Sequence, residues 1–306
     1  MKMRMSEHRP QSRHKGNRPL PVRRPRPRQT ARRPRIGQHF LIDPLVAGDI
    51  VRAADIDPDT TVLEVGPGHG ALTERLLERA GHVVAVELDE RLALAVRRRF
   101  AGNPRLTVIS ESILNCTPDV FLAEAGRALP YVVVANLPYY ITAPTLRHFL
   151  ERGPAPQRLV VMVQREVARA IAPTKPDLSL LGVSVAVFAQ ARRLFDVPPT
   201  AFRPPPKVWS TVMRLDVRPE PLVPPIEQET FFKVVAAGFR TPRKQLHNAL
   251  PSGGIWLPPG EGAQTLLRES GIDPMRRAAT LSVDEWIGLY RTYARLYGPA
   301  ARGKAE

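Results

Sequence analysis

Short apolar runs alternate with amphipathic helical segments over the first two thirds of the chain. The runs have the length of strands and lie at Val62–Val65, Val83–Val86, Leu106–Ile109, Val132–Ala135 and Leu159–Val163. The segments between them carry apolar residues at helical spacing, at Leu72–Arg79, Arg91–Phe100, Pro144–Glu151 and Glu166–Ile171. Two later runs, Val183–Phe188 and Thr211–Leu215, are expected to extend the sheet. The alternation predicts an α/β fold built on a doubly wound parallel sheet.

The pattern changes at a proline-dense segment, Val217–Pro225, which cannot continue a central strand. Beyond it the pattern is purely helical: Phe231, Phe232, Val235 and Phe239 share a helical face, and Ser282 with Glu285 predicts a capping box. Near the other end, Asp43-Pro44 predicts a helix start. We therefore expect five segments: a disordered basic tail (1–35), the α/β domain (36–216), a linker (217–225), a small all-helical domain (226–297) and a short tail (298–306).

Composition excludes an integral membrane protein. The 306 residues are 43% hydrophobic, and no apolar run reaches the ~18 residues of a membrane span. The single cysteine, Cys116, cannot form an internal disulfide and lies in no zinc-ligand pattern. The sequence thus predicts a protein of a reducing, cytoplasmic compartment with no metal. It does not specify the oligomeric state, and a monomer is the expectation.

Much of the net charge of +16 comes from residues 1–35, which hold 13 Lys/Arg, one Glu and six Pro. Such a segment buries little apolar surface, so disorder is expected. Terminal blocks of one charge are often arms that bind nucleic acid. A solvated tail without a specific partner is the alternative.

A glycine loop and a downstream acid predict a nucleoside site. The strand at Thr61–Val65 runs into Gly66-Pro67-Gly68-His69-Gly70, and the next strand ends at Glu87. The G-x-G-x-G spacing differs from the dinucleotide fingerprint, while an acid about 20 residues downstream can bind a ribose diol. S-adenosylmethionine fits this combination. An ordinary strand-to-helix turn and a solvated strand end are the alternatives for Gly66, Gly68 and Glu87.

Asn136-Leu137-Pro138-Tyr139 follows the fourth predicted strand and suits methylation of an exocyclic amine. An adenine N6 amine is a poor nucleophile, so acceptors must hold both N–H groups in the geometry of attack. The amide oxygen of Asn136 and the carbonyl of Leu137 are candidates, and Tyr139 offers a ring for a flipped base. A proline turn with a buried tyrosine is the structural alternative.

Residues 36–295 resemble the ribosomal RNA adenine dimethyltransferase family. The resemblance rests on ordered motifs that begin at Gly37, Glu64, Val86, Asn136, Met162 and Val197: GQHFLID, EVGPGHGALT, VELD, NLPYYI, MVQREVA and VPPTAFRPPPKV. It implies a Rossmann-like methyltransferase sheet with a helical C-terminal domain. It also implies S-adenosylmethionine-dependent dimethylation, at N6, of two adjacent adenosines in a 3′-terminal hairpin loop of small-subunit (16S) rRNA. The partner would be a pre-ribosomal particle during small-subunit maturation.

The resemblance also assigns roles to residues. His39, Leu41, Gly66, Gly68, Glu87, Ser112 and Asn136 would bind the cofactor, Asn136, Leu137, Pro138 and Tyr139 would form the catalytic motif, and Tyr139 with Phe202 would hold the target base. A core aromatic is the alternative for Phe202. Two positions depart from the family pattern. His39 stands where the family usually has Asn, and Ser112 stands where it has an Asp that binds the cofactor's adenine.

Basic residues outside the tail are candidates for RNA phosphates. They are Lys207 in the proline-rich turn and Arg240, Arg243 and Lys244 in the helical domain. Ordinary solvated charge is the alternative for all four. Two further functions remain open: methylation of large-subunit rRNA, as in macrolide-resistance methylases, and a non-catalytic assembly or transcription factor on the same scaffold.

Overall fold

The computed structural model describes residues 38–174 and 177–302. The tail predicted for residues 1–35 lies outside the described residues. Among the described residues, no helix is both long enough and apolar enough to span a bilayer.

Strands and helices are interspersed up to Val217, and in the described part of the chain only helices follow. The strands are β1 (Phe40–Leu41), β2 (Thr61–Val65), β3 (His82–Glu87), β4 (Leu106–Ser110), β5 (Val132–Asn136), β6 (Arg158–Gln164), β7 (Ala189–Val197), β8 (Phe202–Arg203) and β9 (Ser210–Val217). The helices are α1 (Pro44–Ala53), α2 (Ala71–Leu77), α3 (Glu90–Arg99), α4 (Pro118–Glu124), α5 (Thr142–Arg147), α6 (Arg165–Ile171), α7 (Leu180–Phe188), α8 (Pro225–Phe239), α9 (Leu246–Ser252), α10 (Gly262–Glu269) and α11 (Val283–Arg302). This order confirms the predicted α/β fold with a helical C-terminal region.

Seven strands form one mixed sheet in the order β4-β3-β2-β5-β6-β9-β7. The first five of these strands are parallel to one another, while β9 runs antiparallel to β6 and β7 runs antiparallel to β9. β1 pairs with β8 as a separate two-stranded sheet. The carboxyl ends of β2, β3 and β5 therefore meet at one edge, together with the first residue of β9.

Alternate residues of the central strands face two separate hydrophobic cores. On β5, Val133 belongs to one core, and Val132 and Val134 belong to the other. Such alternation is what a strand covered on both faces requires. The core that contains Val133 continues without interruption into α8 and α11, so the C-terminal helices pack against the layer formed by α7. The division at residues 217–225 separates β9 from α8 and stays a prediction as a domain boundary.

Two helix starts form as the sequence predicts. The Asp43 side chain accepts hydrogen bonds from the Leu45 and Val46 amides at the start of α1. At α11, the Glu285 amide donates to Ser282 Oγ, and the Ser282 amide donates to the Glu285 carboxylate. These contacts satisfy amides that have no partner within the helix.

The prediction that Val183–Phe188 is a strand is wrong. These residues belong to α7, whose start is capped by Ser179 through the Gly182 amide. The helix is buried on most of its surface, so its sequence is apolar without amphipathic spacing, and such a run is ambiguous between strand and helix. The added strand is β7 instead, an edge strand with alternating exposure, and α4 was not predicted at all.

A cluster of arginines around Asp216 ties the last strands to α1. Arg158, Arg192 and Arg214 all donate to the Asp216 carboxylate. Arg214 and Arg158 also donate to the carbonyls of Ala53 and Ala54 at the end of α1, where positive charge is favourable. Burial alone would raise the pKa of Asp216, but the three arginine hydrogen bonds outweigh it and lower that pKa to about 2.

We expect Asp216→Asn to lower the free energy of unfolding by about 1–2 kcal/mol at pH 7. The lowered pKa of Asp216 corresponds to a somewhat larger free energy, but solvent screens part of the interaction. The arginines favour the ionised carboxylate, so the stabilisation is present above pH 3.8 and is lost as the pH falls to about 2. Urea unfolding at several pH values measures the difference. Glu229→Gln, which removes an exposed ion pair with Lys233, is the control and should leave unfolding unchanged. Equal loss in both variants at every pH would contradict this account.

Candidate active site

A cavity opens at the carboxyl edge of the sheet, where β2, β3 and β5 end. It measures about 710 Å³ including its open mouth, which is within the usual size of small-molecule sites. Its lining includes nine predicted site residues: His39, Leu41, Gly66, Gly68, Glu87, Asn136, Leu137, Pro138 and Tyr139. The parallel topology brings these residues together from positions far apart in the chain.

The glycine loop gives one wall of the cavity bare backbone. Gly66 and Gly68 adopt φ of +68° and +58°, which disfavour other residues. A Cβ on Gly66 would meet no atom within 4 Å, whereas a Cβ on Gly68 would come within 2.9 Å of the Phe40 ring. Gly68 is thus required by its packing as well, and the open space at Gly66 lets a ligand approach the main chain.

Glu87 is held rigidly at the end of β3. Its two carboxylate oxygens accept from the Gly68 and Asp89 amides at 3.1 and 3.0 Å, and the side chain is buried. Burial raises the pKa of Glu87 more than these hydrogen bonds lower it. Each oxygen retains a further lone pair, so the carboxylate can accept from a ribose diol.

Glu64, to which the sequence analysis gave no role, is a second carboxyl in the cavity lining. It is 1% exposed; Oε2 accepts from Thr73 Oγ1 at 2.7 Å, and Oε1 has no partner among the described residues. Burial is the main cause that raises the pKa of Glu64 to about 8; the Thr73 hydrogen bond opposes this rise and the nearby Glu87 carboxylate adds to it. The signal in the sequence was a charged residue inside an apolar parallel strand, where a buried charge needs a partner. An unpartnered buried carboxyl suits a cationic ligand.

Asn136 presents a defined face to the cavity. Its Nδ2 donates to the carbonyl of His39 at 3.2 Å, so the amide oxygen Oδ1 is the atom left to accept from a ligand. His39 itself is fixed by a 2.7 Å hydrogen bond between its Nδ1 and the Pro204 carbonyl. The segment before α1 therefore orients the asparagine that ends β5.

Tyr139 lies next to these groups. Its hydroxyl hydrogen-bonds Ser210 Oγ at 2.9 Å, and its ring centroid is 5.9 Å from that of His39. Burial raises the pKa of Tyr139, so the phenol is neutral at physiological pH. The ring is held at its hydroxyl end.

Two predicted site residues lie outside the cavity lining. Phe202 is 3% exposed and packs in the core beside Leu41, its partner across the β1–β8 pair, so its stacking role rests on the resemblance alone. Ser112 follows β4; its Oγ accepts from the Leu114 amide. The neighbouring Glu111 carboxylate is engaged by the Ser112 amide and Asn115 Nδ2, which hold it within its own loop.

The predicted RNA-binding residues are exposed. Lys207 lies just before β9, and Arg240, Arg243 and Lys244 lie between α8 and α9. Within residues 38–174 and 177–302, none of these four forms an ion pair. In the same ranges no cluster of three or more His, Cys, Asp or Glu side chains has the geometry to hold a metal ion.

The groups that line the cavity fit S-adenosylmethionine by their chemistry. A carboxylate can bind the ribose diol, a buried carboxyl with an unpartnered oxygen can face a cation, and bare glycine backbone allows close approach. Glu87, Glu64 and Gly66 could supply these three functions.

Comparisons with known proteins identify the family of this chain. The family model described as ribosomal RNA adenine dimethylase matches residues 29–295. A ribosomal RNA small subunit methyltransferase A of Dehalococcoides mccartyi strain CBDB1 is 46% identical over 85% of this chain and 87% of its own. One from Moorella thermoacetica is 40% identical over 84% and 90%.

Two solved structures extend the comparison. The 23S rRNA methyltransferase ErmE has a TM-score of 0.66 and 28% identity over 83% of this chain and 98% of its own. A dimethyladenosine transferase from Plasmodium falciparum has a TM-score of 0.69 over 84% and 98%, and at 22% identity it supports the fold alone. The family match and the two bacterial relatives establish that this chain belongs to the ribosomal RNA adenine dimethylase family.

Proposed function

We propose that the protein is an S-adenosylmethionine-dependent methyltransferase that dimethylates the N6 amines of two adjacent adenosines in small-subunit rRNA. One observation supports this proposal most directly: Asn136 lines the cavity together with Glu87 and the glycine loop, and its Nδ2 is bound to the His39 carbonyl, which leaves its oxygen available to accept. A carboxylate for a nucleoside and an acceptor for an amine thus lie in one site.

When bound, S-adenosylmethionine supplies an electrophilic methyl group. Glu87 would accept from its ribose hydroxyls, and Glu64 would face its positive charge. Asn136 Oδ1 and the Leu137 carbonyl would accept the two N–H bonds of the target amine, which favours the tetrahedral geometry of attack. Tyr139 would stack on the flipped base. No strong base is required, because the nitrogen becomes acidic once it carries the extra bond.

The relatives' names support the choice of substrate. The bacterial proteins at 40–46% identity are named small-subunit methyltransferases, whereas the 23S rRNA enzyme is 28% identical. We further propose that the two adenosines lie in a 3′-terminal hairpin loop, that the substrate is an immature small subunit, and that the protein acts as a cytoplasmic monomer. Lys207, Arg240, Arg243 and Lys244 would contact RNA phosphates.

The direct experiment is incubation of the protein with labelled S-adenosylmethionine and small subunits that lack the modification, followed by mass spectrometry of rRNA fragments. Two dimethylated adenosines in one small-subunit fragment are expected. Label on large-subunit rRNA would instead indicate the macrolide-resistance activity, and absence of label would favour a binding role.

We expect Asn136→Ala to lower methyl transfer at least about 100-fold, since it removes an acceptor that acts on the reacting amine. Cofactor affinity should change much less, because Glu87 and the glycine loop remain. Single-turnover transfer and equilibrium binding separate the two effects. Asn248→Ala, at an exposed position on α9, is the matched control. Near-normal turnover in Asn136→Ala would show that the amine is held elsewhere.

Ser112→Asp is expected to tighten cofactor binding by about fivefold, because a carboxylate is the stronger acceptor by about 1 kcal/mol. The Asp carboxylate can still accept from the Leu114 amide, so the turn should survive. Calorimetric titration of wild type and variant measures the change, with Ser112→Ala as the comparison. Weaker binding in Ser112→Asp would show that the pocket is adapted to serine.

Glu64→Gln should remove a pH dependence from folding and from cofactor binding. Without ligand, the folded protein keeps Glu64 protonated to about pH 8, whereas the unfolded chain ionises it from about pH 4.5. Wild type should therefore lose stability relative to Glu64→Gln as the pH rises through this window. Cofactor affinity should rise with pH in wild type and stay flatter in the variant. Parallel curves for both proteins would refute the assignment; Glu111→Gln is the control.

A further inference from the structure

Large hydrophobic side chains are exposed near the strand ends at the edge of the sheet where the cavity opens. Leu88 follows β3 and is 67% exposed, and Tyr140 follows the catalytic motif and is 62% exposed. Val208 and Trp209, 41% and 42% exposed, come just before β9. Because β9 is antiparallel to β6, with Ser210 opposite Gln164, Trp209 lies at the same edge of the sheet as the cavity. Single exposed apolar residues are ordinary, but these four lie near strand ends at the same edge of the sheet, and we call them the rim.

Trp209 is fixed immediately beside the tyrosine of the site. The next residue, Ser210, is the hydrogen-bond partner of the Tyr139 hydroxyl at 2.9 Å. The Trp209 carbonyl also accepts from the Arg165 amide at 3.0 Å, which ties the backbone before β9 to the start of α6. The backbone of Trp209 is thus held next to the residue that contacts the Tyr139 hydroxyl.

The guanidinium of Arg165 lies next to the Trp209 indole. Its guanidinium carbon lies 5.7 Å from the centroid of the Trp209 ring, as in a cation–π pair. Its Nε is buried and has no hydrogen-bond partner among the described residues. Arg165 therefore has at least one donor that the described residues leave unused.

The surrounding charges favour a polyanion over a protein surface of mixed charge. Lys207 is exposed two residues before Trp209. The nearby acids are engaged: Glu166 pairs with Arg169, and Asp196 accepts from Thr211. An exposed aromatic face beside free cationic groups is the combination that binds a nucleotide, with the base on the ring and the phosphate on the cations.

We propose that Trp209, supported by Arg165, is a stacking platform for the nucleobase adjacent to the adenine held at Asn136. The inference rests on the proposed function and deepens it: it assigns to this rim the neighbouring nucleotide of the same RNA strand. Trp209 then acts as a positioning residue, which holds the strand while one base enters the cavity.

The first test uses the fluorescence of the full-length protein. The chain has three tryptophans, and Trp286 is fully buried. Titration with a short unmethylated RNA hairpin that carries two adjacent loop adenosines should quench wild-type emission by stacking on Trp209. The Trp209→Phe variant should lose this quench and keep its RNA affinity. A quench that persists in Trp209→Phe would overturn the proposal.

The second test measures affinity. Trp209→Ala should weaken hairpin binding by about 5- to 160-fold, the range for loss of one stacked base. Trp209→Phe should restore most of it, and Val208→Ala is the matched control at the same rim. Replacing the adenosine next to the target by an abasic nucleotide should weaken hairpin binding by wild type. With this abasic hairpin, wild type and Trp209→Ala should bind with equal affinity. If the protein change and the abasic change instead lowered affinity independently and additively, the stacking contact would be overturned.

Three outcomes separate this proposal from others. If wild type methylates small subunits while Trp209→Ala binds the hairpin normally, the platform is wrong and the proposed function stands. If wild type transfers no methyl group, the quench and the abasic comparison still decide whether Trp209 stacks on RNA. Weaker binding of Trp209→Ala to whole subunits, with unchanged binding to the hairpin, would indicate a protein partner and overturn the proposal.

Discussion

The hydrogen bond from Asn136 Nδ2 to the His39 carbonyl determines what the site can recognise. A side-chain amide can present either a donor or an acceptor, and the bond to His39 commits the donor end. The cavity is left with an acceptor, which suits an amine. The same bond connects the segment before α1 to the end of β5, so the recognition atom depends on a contact between residues 97 positions apart in the chain.

The two carboxyls of the cavity differ in how many hydrogen-bond donors oppose the effect of burial. Glu64 and Glu87 are both buried, and burial raises the pKa of each. Glu87 has two backbone amide donors that oppose this effect, whereas Glu64 has a single hydroxyl donor and one bare oxygen. Burial penalises the ionised form, so the unliganded site keeps Glu64 protonated up to about pH 8, and a cation beside it would favour ionisation. Binding of a positively charged ligand would therefore be linked to loss of the Glu64 proton.

Much of this arrangement could be predicted from the sequence, because it depends on chain order. Parallel strands bring their carboxyl ends together, so the glycine loop, Glu87 and Asn136 had to meet once the strands were recognised. The predictions that failed concern segments whose local sequence is ambiguous. The run Val183–Phe188 is apolar because α7 is enclosed, and periodicity cannot distinguish an enclosed helix from an enclosed strand. The burial of Phe202 against Leu41 depends on the β1–β8 pairing, which no short-range pattern encodes.

Trp209 shows a different limit of sequence reasoning. From its sequence alone, an aromatic residue next to a proline-rich turn is expected in the core. The register of β9 against β6 instead places Trp209 at the edge of the sheet where the cavity opens. The core could have enclosed it only if the backbone before Ser210 turned inward, but the hydrogen bond to Arg165 and the Ser210–Tyr139 contact hold that backbone at the edge. The contact at the Tyr139 hydroxyl therefore also holds the backbone next to Trp209, which is 42% exposed. The position of Tyr139 and the exposure of Trp209 both depend on the register of β9, so a change that shifts β9 would disturb both together.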